Sequence, residues 1–136
     1  MSHNCIFCGI WKSQTNVIYK TDNLIVIPDI YPLSEGHMLV IPKEHGETLN
    51  DLKDESITGV LPLIKMITSK MGIDKYNILQ NNKHIQSVPH VHFHIIPYSS
   101  SLNSLKIDWK VIEKEKDYIE KFVKIAKEKL DTISNK

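Results

Sequence analysis

The 136-residue sequence predicts an α+β domain. Three patterns carry that reading: short apolar runs of strand length recur between turn-forming residues, a longer central stretch repeats its apolar residues at helical spacing, and a later segment alternates histidine with large apolar side chains. Five strands and one main helix form the core, about residues 5–98, and a C-terminal extension carries a second helix. The length suits one hydrophobic core and is short for two, so residues 1–136 are read as a single domain.

The elements follow in order. Val17 to Lys20 and Leu24 to Pro28 flank Thr21-Asp22-Asn23, a turn-forming triplet, and read as a hairpin. A loop containing Asp29, Pro32, Ser34 and Gly36 leads to a third strand from His37 to Pro42. From Asp54 to Met71, residues Ile57, Val60, Leu61, Ile64, Ile67 and Met71 recur at helical spacing, with Gly72 placed to stop the helix and Pro62 predicted to kink it. Tyr76 to Gln80 reads as a fourth strand, a polar loop runs from Asn81 to Ser87, and the histidine strand spans His90 to Ile96 before Pro97 closes it. Past the polar link Tyr98–Ser104, residues Ile112, Ile119, Phe122, Val123, Ala126 and Leu130 fall near one face of a helix predicted over 108–132. Its lysines and glutamates occupy the other face, either solvated or capping a neighbouring site or subunit.

A hydrophobic content of 41% with 24% charged residues is ordinary for a soluble globular protein. No apolar run has the length of a bilayer span, and Met1-Ser2-His3-Asn4 does not lead into a secretory signal, so membrane association is not expected. The expected location is the cytoplasm, with the nucleus also open. A net charge of +1 and the lack of a basic stripe interleaved with aromatics argue against nucleic acid as partner. All 17 basic residues are lysines, so any phosphate must be held without a bidentate guanidinium.

The histidine segment carries the functional signal. In a strand, side chains two apart share a face, so His90, His92 and His94 point together at about 6.6 Å spacing while Val91, Phe93 and Ile95 bury the reverse. Neutral imidazoles so arranged can hold a metal, or present one ring as nucleophile while neighbours hydrogen-bond an anion. Mere packing would require a set of hydrogen-bond partners for each buried ring.

This strand, Gln86-Ser87 ahead of it, and the upstream segments Asp29-Ile30-Tyr31-Pro32, Gly36-His37 and Val40-Ile41-Pro42-Lys43-Glu44-His45 together resemble the histidine-triad (HIT) family. The resemblance covers about residues 5–98 and implies a HIT-like, five-stranded antiparallel sheet. It also implies binding of nucleoside monophosphate units of AMP or GMP type and cleavage at the α-phosphorus. Carried over by position, His92 is the nucleophile that forms a nucleotidyl-histidine. His94 bonds a phosphate oxygen, Ser87 contacts the phosphate or leaving group, and His37 supports the triad. Asp29 takes the ribose hydroxyls, Ile6, Phe7, Ile10, Ile27 and Ile30 wall the base pocket, and Asn81 and Gln86 are further nucleotide-side positions. A neutral imidazole is nucleophilic at physiological pH, and dividing the displacement into two steps lowers each barrier. Transferase relatives carry glutamine where His94 stands, which favours hydrolysis here. Such hydrolases are typically homodimers, and the helix 54–71 with the strand 76–80 are the candidate interface.

Cys5-Ile6-Phe7-Cys8 has metal-ligand spacing. A redox motif is disfavoured because no strand precedes it, and an intracellular setting disfavours a disulfide. In relatives that keep both cysteines they join the equivalents of His45 and His90 around a structural zinc; His3 is a rival ligand. His90 would then orient His92 rather than react.

The chain departs from its relatives in places. The loop Asn81-Asn82-Lys83-His84-Ile85-Gln86 is short and free of glycine, so Lys83 or His84 could supply charge there; the segment after Trp11 is also short, and Tyr98 follows Pro97 where arginine is common. A tryptophan-containing tail often associated with phosphoramidase specificity is missing, which tilts the reading towards HIT hydrolases with long C-terminal helices. The leading function is hydrolysis of nucleoside phosphoramidates, adenylylated compounds or dinucleoside polyphosphates. The alternatives are a nucleotide-binding regulator with incidental activity, and a metalloenzyme using all three triad histidines as ligands.

Overall fold

The computed structural model describes residues 4–134, with side chains through Asp131. Contacts divide the chain between Lys106 and Ile107 into two compact units. The first contains α1 (Ile6–Ser13), β1 (Tyr19–Lys20), β2 (Leu24–Pro28), β3 (Met38–Pro42), α2 (Asp54–Ile57), α3 (Val60–Met71), β4 (Tyr76–Gln80) and β5 (Phe93–Pro97). The strands form one antiparallel sheet in the order β1-β2-β3-β5-β4, the predicted α+β architecture.

The unbroken apolar runs of β2 and β3 follow from burial on both faces. On one face Leu24, Val26, Met38, Val40 and Ile95 meet Val60, Leu63, Ile64 and Ile67 of α3. On the other, Ile25, Ile27, Leu39 and Ile41 meet Cys5 and Phe7. Ile25, Val26, Val40 and Ile41 have no exposed surface, so each side chain contributes about 1.5–3 kcal/mol of burial. The register sets Leu39 opposite His94, on the α1 face, and Met38 opposite Ile95 on the α3 face. β5 breaks its apolar run at His94 alone, because that α1-side position serves the site.

Several boundaries differ from the sequence reading. The stretch 54–71 is two helices, since Gly59 caps α3 and Pro62 falls in its first turn, where the missing N–H has no helical acceptor to lose. The predicted kink is thus a helix start. Gly72 ends α3 in the left-handed region at φ 69°, as its placement predicted. β5 begins at Phe93, not His90: the His90 N–H bonds locally to the Val88 carbonyl and the Val91 N–H to the Gly46 carbonyl, so neither joins the ladder. α1 was not foreseen at all. Its first turn is capped by a thiol, as the Cys5 Sγ accepts the Cys8 N–H at 3.4 Å, and cysteine is not a usual capping signal.

In the second unit, α4 runs Tyr118–Ser134 and starts ten residues later than the predicted 108, immediately after Asp117, whose carboxylate pairs with Lys121 at 3.1 Å. Acidic residues favour helix N-termini, whereas Val111 and Ile112 resist helix through β-branching. No helix among the described residues is long and apolar enough to cross a membrane.

Candidate active site

The site lies on the α1 face of the sheet, where β5, the ends of β2 and β3, and α1 converge. Its logic is in the protonation of four histidines, each settled by a backbone partner or by a neighbour so settled. The His92 Nδ1 lies 2.7 Å from the His90 carbonyl, which can only accept; the proton is therefore on Nδ1 and the lone pair on Nε2. His37 is the reverse case: its Nδ1 accepts the Leu33 N–H at 3.0 Å, so its proton sits on Nε2 and is donated to the His94 Nδ1 at 2.9 Å. That bond in turn leaves His94 with its proton on Nε2. The site thus holds one ring with a free lone pair and, 5.0 Å away centroid to centroid, one ring presenting an N–H.

Burial keeps these rings neutral. It depresses His92 and His37 below the ordinary imidazole value, partly opposed by Asp29 in both cases and by the His90 carbonyl bond in His92. His94 is pushed down to about 4, by burial first and then by His92 and His37. Asp29 follows the end of β2, and its N–H bonds the His37 carbonyl at 3.0 Å. Its Oδ1 accepts the Tyr31 N–H at 2.8 Å, while Oδ2 faces the His37 Nε2 at 3.4 Å.

A cavity of about 240 Å³ opens beside His92 and His94. Its walls are Ile6, Phe7 and Ile10 from α1, Ile27, Pro28 and Leu39 from the sheet, Asp29 to Tyr31 from the loop after β2, and Ser87 and Val88 from the loop before the triad. Ile27 is core and wall at once, at 5% exposure; Ile30 at 75% and Ile6 at 63% contribute to no core and stand free to meet a ligand. Among the described residues, no lysine lines the cavity.

A second cluster lies at the base of α1. The Cys5 and Cys8 Sγ atoms lie 3.3 and 3.6 Å from the His90 Nδ1, the Cys8 Sγ is 3.4 Å from the His45 Nδ1, and the two imidazole Nδ1 atoms are 3.2 Å apart. Around one tetrahedral ion, thiolate and imidazole donors at ordinary bond lengths stand about 3.3–3.6 Å apart, so the set fits a metal. The His90 Nε2 donates to the Pro42 carbonyl at 2.8 Å, which leaves the Nδ1 lone pair directed into the cluster. Burial and the neighbouring Cys5 hold the Cys8 thiol above its ordinary value, a proton an ion would displace. Asp29, His37 and His94 also bring three donor atoms together, but the Leu33 N–H occupies the His37 Nδ1 and obliges Nε2 to stay protonated. That trio is a hydrogen-bond chain, not a neutral ligand set.

A family model described as the HIT domain matches residues 12–101. The chain belongs to the HIT domain family. It is 40% identical over 131 residues to adenosine 5'-monophosphoramidase HNT1 of Saccharomyces cerevisiae, covering 93% of this chain and 83% of that protein. Identity to adenosine 5'-monophosphoramidase hnt1 of Schizosaccharomyces pombe is 44% over 110 residues, with 78% and 83% covered. The fold superposes with a TM-score of 0.87 on the crystal structure of a histidine triad nucleotide-binding protein from Candida albicans, at 33% identity and covering 96% and 99% of the two chains.

Among the residues expected at a HIT site, the structure brings Ile6, Phe7, Ile10, Ile27, Asp29, Ile30, Ser87, His92 and His94 to one cavity, with His37 behind His94. His90 points away into the cluster with Cys5, Cys8 and His45, so the three triad rings do not converge on one ion and the three-histidine metalloenzyme reading fails. Asn81 and Gln86 do not line the cavity. The Gln86 side chain fastens the loop, donating to the Glu47 carbonyl at 2.7 Å and accepting the Lys83 N–H at 2.8 Å. His3 lies outside the described residues. Pro28, Tyr31, Leu39 and Val88 line the cavity and were missed; strand register would have found Leu39, which pairs with His94.

Proposed function

We propose that this protein is a nucleotide hydrolase that cleaves at the α-phosphorus of nucleoside phosphoramidates, adenylylated compounds or dinucleoside polyphosphates, through a nucleotidyl-histidine on His92. The observation that carries this reading is the bond from the His92 Nδ1–H to the His90 carbonyl, which leaves Nε2 as a neutral nucleophile on the cavity wall. Nε2 attacks the α-phosphorus and forms an N–P bond as the bond to the leaving amine or phosphate breaks, and the leaving group departs with a proton drawn from water. A second water then attacks the same phosphorus, giving its proton to the hydroxide left by the first, the N–P electron pair returns to Nε2, and the nucleoside monophosphate is released. His94, protonated on Nε2, donates to an oxygen of the phosphoryl group, and Ser87 contacts the phosphate or leaving group from the adjoining wall. Asp29 accepts from the ribose hydroxyls at the mouth, and Ile6, Ile10, Ile27 and Ile30 enclose the base. AMP-linked substrates are favoured because two relatives bear the name adenosine 5'-monophosphoramidase.

The ion suited to Cys5, Cys8, His45 and His90 is zinc, since two thiolates and two imidazoles complete its tetrahedral shell. It would supply a fixed anchor for the segments that carry the site and leave no position for a reacting water. The chain is further proposed to act as a homodimer in the cytoplasm. β4 is an edge strand with Ile78 exposed, and Leu61 of α3 is exposed, so a second copy can cover both.

The test is single-turnover mixing with adenosine 5'-phosphoramidate labelled at the phosphorus. Wild type should accumulate acid-labile label on the protein and His92→Asn should carry none. Turnover by His92→Asn near the wild-type rate would end this reading.

A further inference from the structure

The two clusters share an element. Cys5 and Cys8 bracket the first turn of α1, and the same helix carries Ile6, Phe7 and Ile10 into the cavity wall. Eight residues are too few for a helix to persist alone, and α1 has no acidic residue in its first turn, so tertiary anchoring holds it. Phe7, at 5% exposure, is the one fully inward side chain of the helix. Its ring stands edge-on to both His90, at 5.9 Å and 85°, and His92, at 4.9 Å and 75°. The His90 ring reaches the thiols, and the His90 carbonyl holds the His92 proton. A closed circuit results: thiols, α1, Phe7, His92, His90, and back to the thiols.

We propose that α1 is a metal-dependent wall of the nucleotide cavity and that Phe7 is the positioning residue coupling the Cys/His cluster to His92, so that zinc and nucleotide each tighten the binding of the other. The inference rests on the proposed zinc and nucleotide sites and adds a coupling neither requires. An ion that gathers Cys5, Cys8, His45 and His90 fixes both the start of α1 and the backbone of His90. The wall and the nucleophile are then set before nucleotide arrives, and the ordering cost of binding falls. By linkage the factor is the same in both directions. It can therefore be read from the loaded protein, as the increase in zinc retention against a competing chelator when AMP is added.

Wild type should hold zinc at least about tenfold more tightly with saturating AMP than without it, within the usual range of coupling between sites. Ile10→Ala removes apolar surface from the same wall without touching either imidazole; it should weaken AMP and leave the coupling factor unchanged. Phe7→Ala should bring the factor close to one while zinc still binds. Equal zinc retention with and without AMP, in wild type that binds AMP normally by calorimetry, overturns this proposal alone. So does a Phe7→Ala factor equal to that of wild type. Failure of loaded wild type to bind AMP, or of the protein to bind zinc, overturns the underlying reading together with it. Because zinc-loaded proteins suffice throughout, far-UV circular dichroism of each variant confirms that a lost factor is not lost fold.

Discussion

The relay from the Leu33 N–H through His37 to His94 can be cut at either end, and the two cuts should separate stability from catalysis. The amide oxygen of an asparagine at position 37 falls about where the imidazole Nδ1 lies, and the amide nitrogen of a glutamine falls about where Nε2 lies. His37→Asn therefore keeps an acceptor for the Leu33 N–H and loses the donor to His94. Without that donor the His94 proton is free to move to Nδ1, towards the Asp29 Oδ2 now 3.9 Å away, and Nε2 would meet the phosphoryl oxygens with a lone pair. Loss of one donor aimed at developing charge costs about 10²–10³ in kcat, about 3–4 kcal/mol. The loss should fall on kcat more than on KM, because the bond matures as charge develops. His37→Gln should do the opposite: it donates to His94 and stays within about tenfold of wild type, the low end for one altered polar contact. It leaves the Leu33 N–H unpaired, however, and because Leu33 is half exposed the stability cost is near the lower end, about 1 kcal/mol. Steady-state hydrolysis of adenosine 5'-phosphoramidate and urea unfolding read the two quantities separately. Asparagine as active as wild type, or glutamine as inactive as asparagine, would refute the tautomer argument.

Three further outcomes follow from the same structure. Cys5→Ser with Cys8→Ser should abolish stoichiometric zinc by elemental analysis and lower the unfolding midpoint; metal-free protein of full stability would remove the structural role of the cluster. Depression of His94 from 6.5 to about 4 means that the unfolded chain binds a proton in that window and the native site does not, so its contribution is complete above pH 6.5 and is lost as pH falls, about 3 kcal/mol by pH 4. His94→Asn should flatten this part of the stability profile, measured by urea unfolding across the window, and an unchanged slope would contradict the burial argument. Ile85 is β-branched, exposed, and held at φ 57°, so Ile85→Gly should raise stability by about 1 kcal/mol, and a loss of that size would show that the loop is not strained there.

Where one periodicity controlled an element, the sequence could be read: the apolar runs of β2 and β3, β4, and the stop at Gly72 all lie where their patterns placed them. Hydrogen bonding at the ends of elements was less legible. His90 left the strand because its N–H and that of Val91 found carbonyls outside the ladder, and no side-chain pattern announces that. α1 was missed because a thiol caps it and because at eight residues it is too short for its apolar face, Phe7, Ile10 and Trp11, to repeat. The glycine-free loop shows the converse. Lys83 and Ile85 take left-handed backbone at φ 66° and 57° without the residue type that signals it, while Asn82 and Gln86 hold the loop by bonds to the Leu49 N–H and the Glu47 carbonyl. Residue identities could show that His37, His90, His92 and His94 belong together, but not which nitrogen of each is occupied.

That occupancy is what divides the labour. His90 and His92 each give one proton to a backbone carbonyl, so each keeps a lone pair on the other nitrogen; one is aimed at two thiols and the other borders an apolar cavity. Position alone makes the first a metal ligand and the second a nucleophile. His37 meets a backbone N–H instead, so its remaining nitrogen must donate, and His94 passes that polarity on as a neutral N–H beside the nucleophile. A chain without arginine, and with no lysine among the described residues on this cavity, can thus meet a phosphoryl group through neutral donors alone. Neutrality has a further consequence: with no formal charge on the donors, AMP affinity should vary little with salt, whereas a lysine-lined site would lose affinity steeply as screening rises. Calorimetric titration of AMP at low and high salt measures the difference, and a steep loss would place a cation at the phosphate after all.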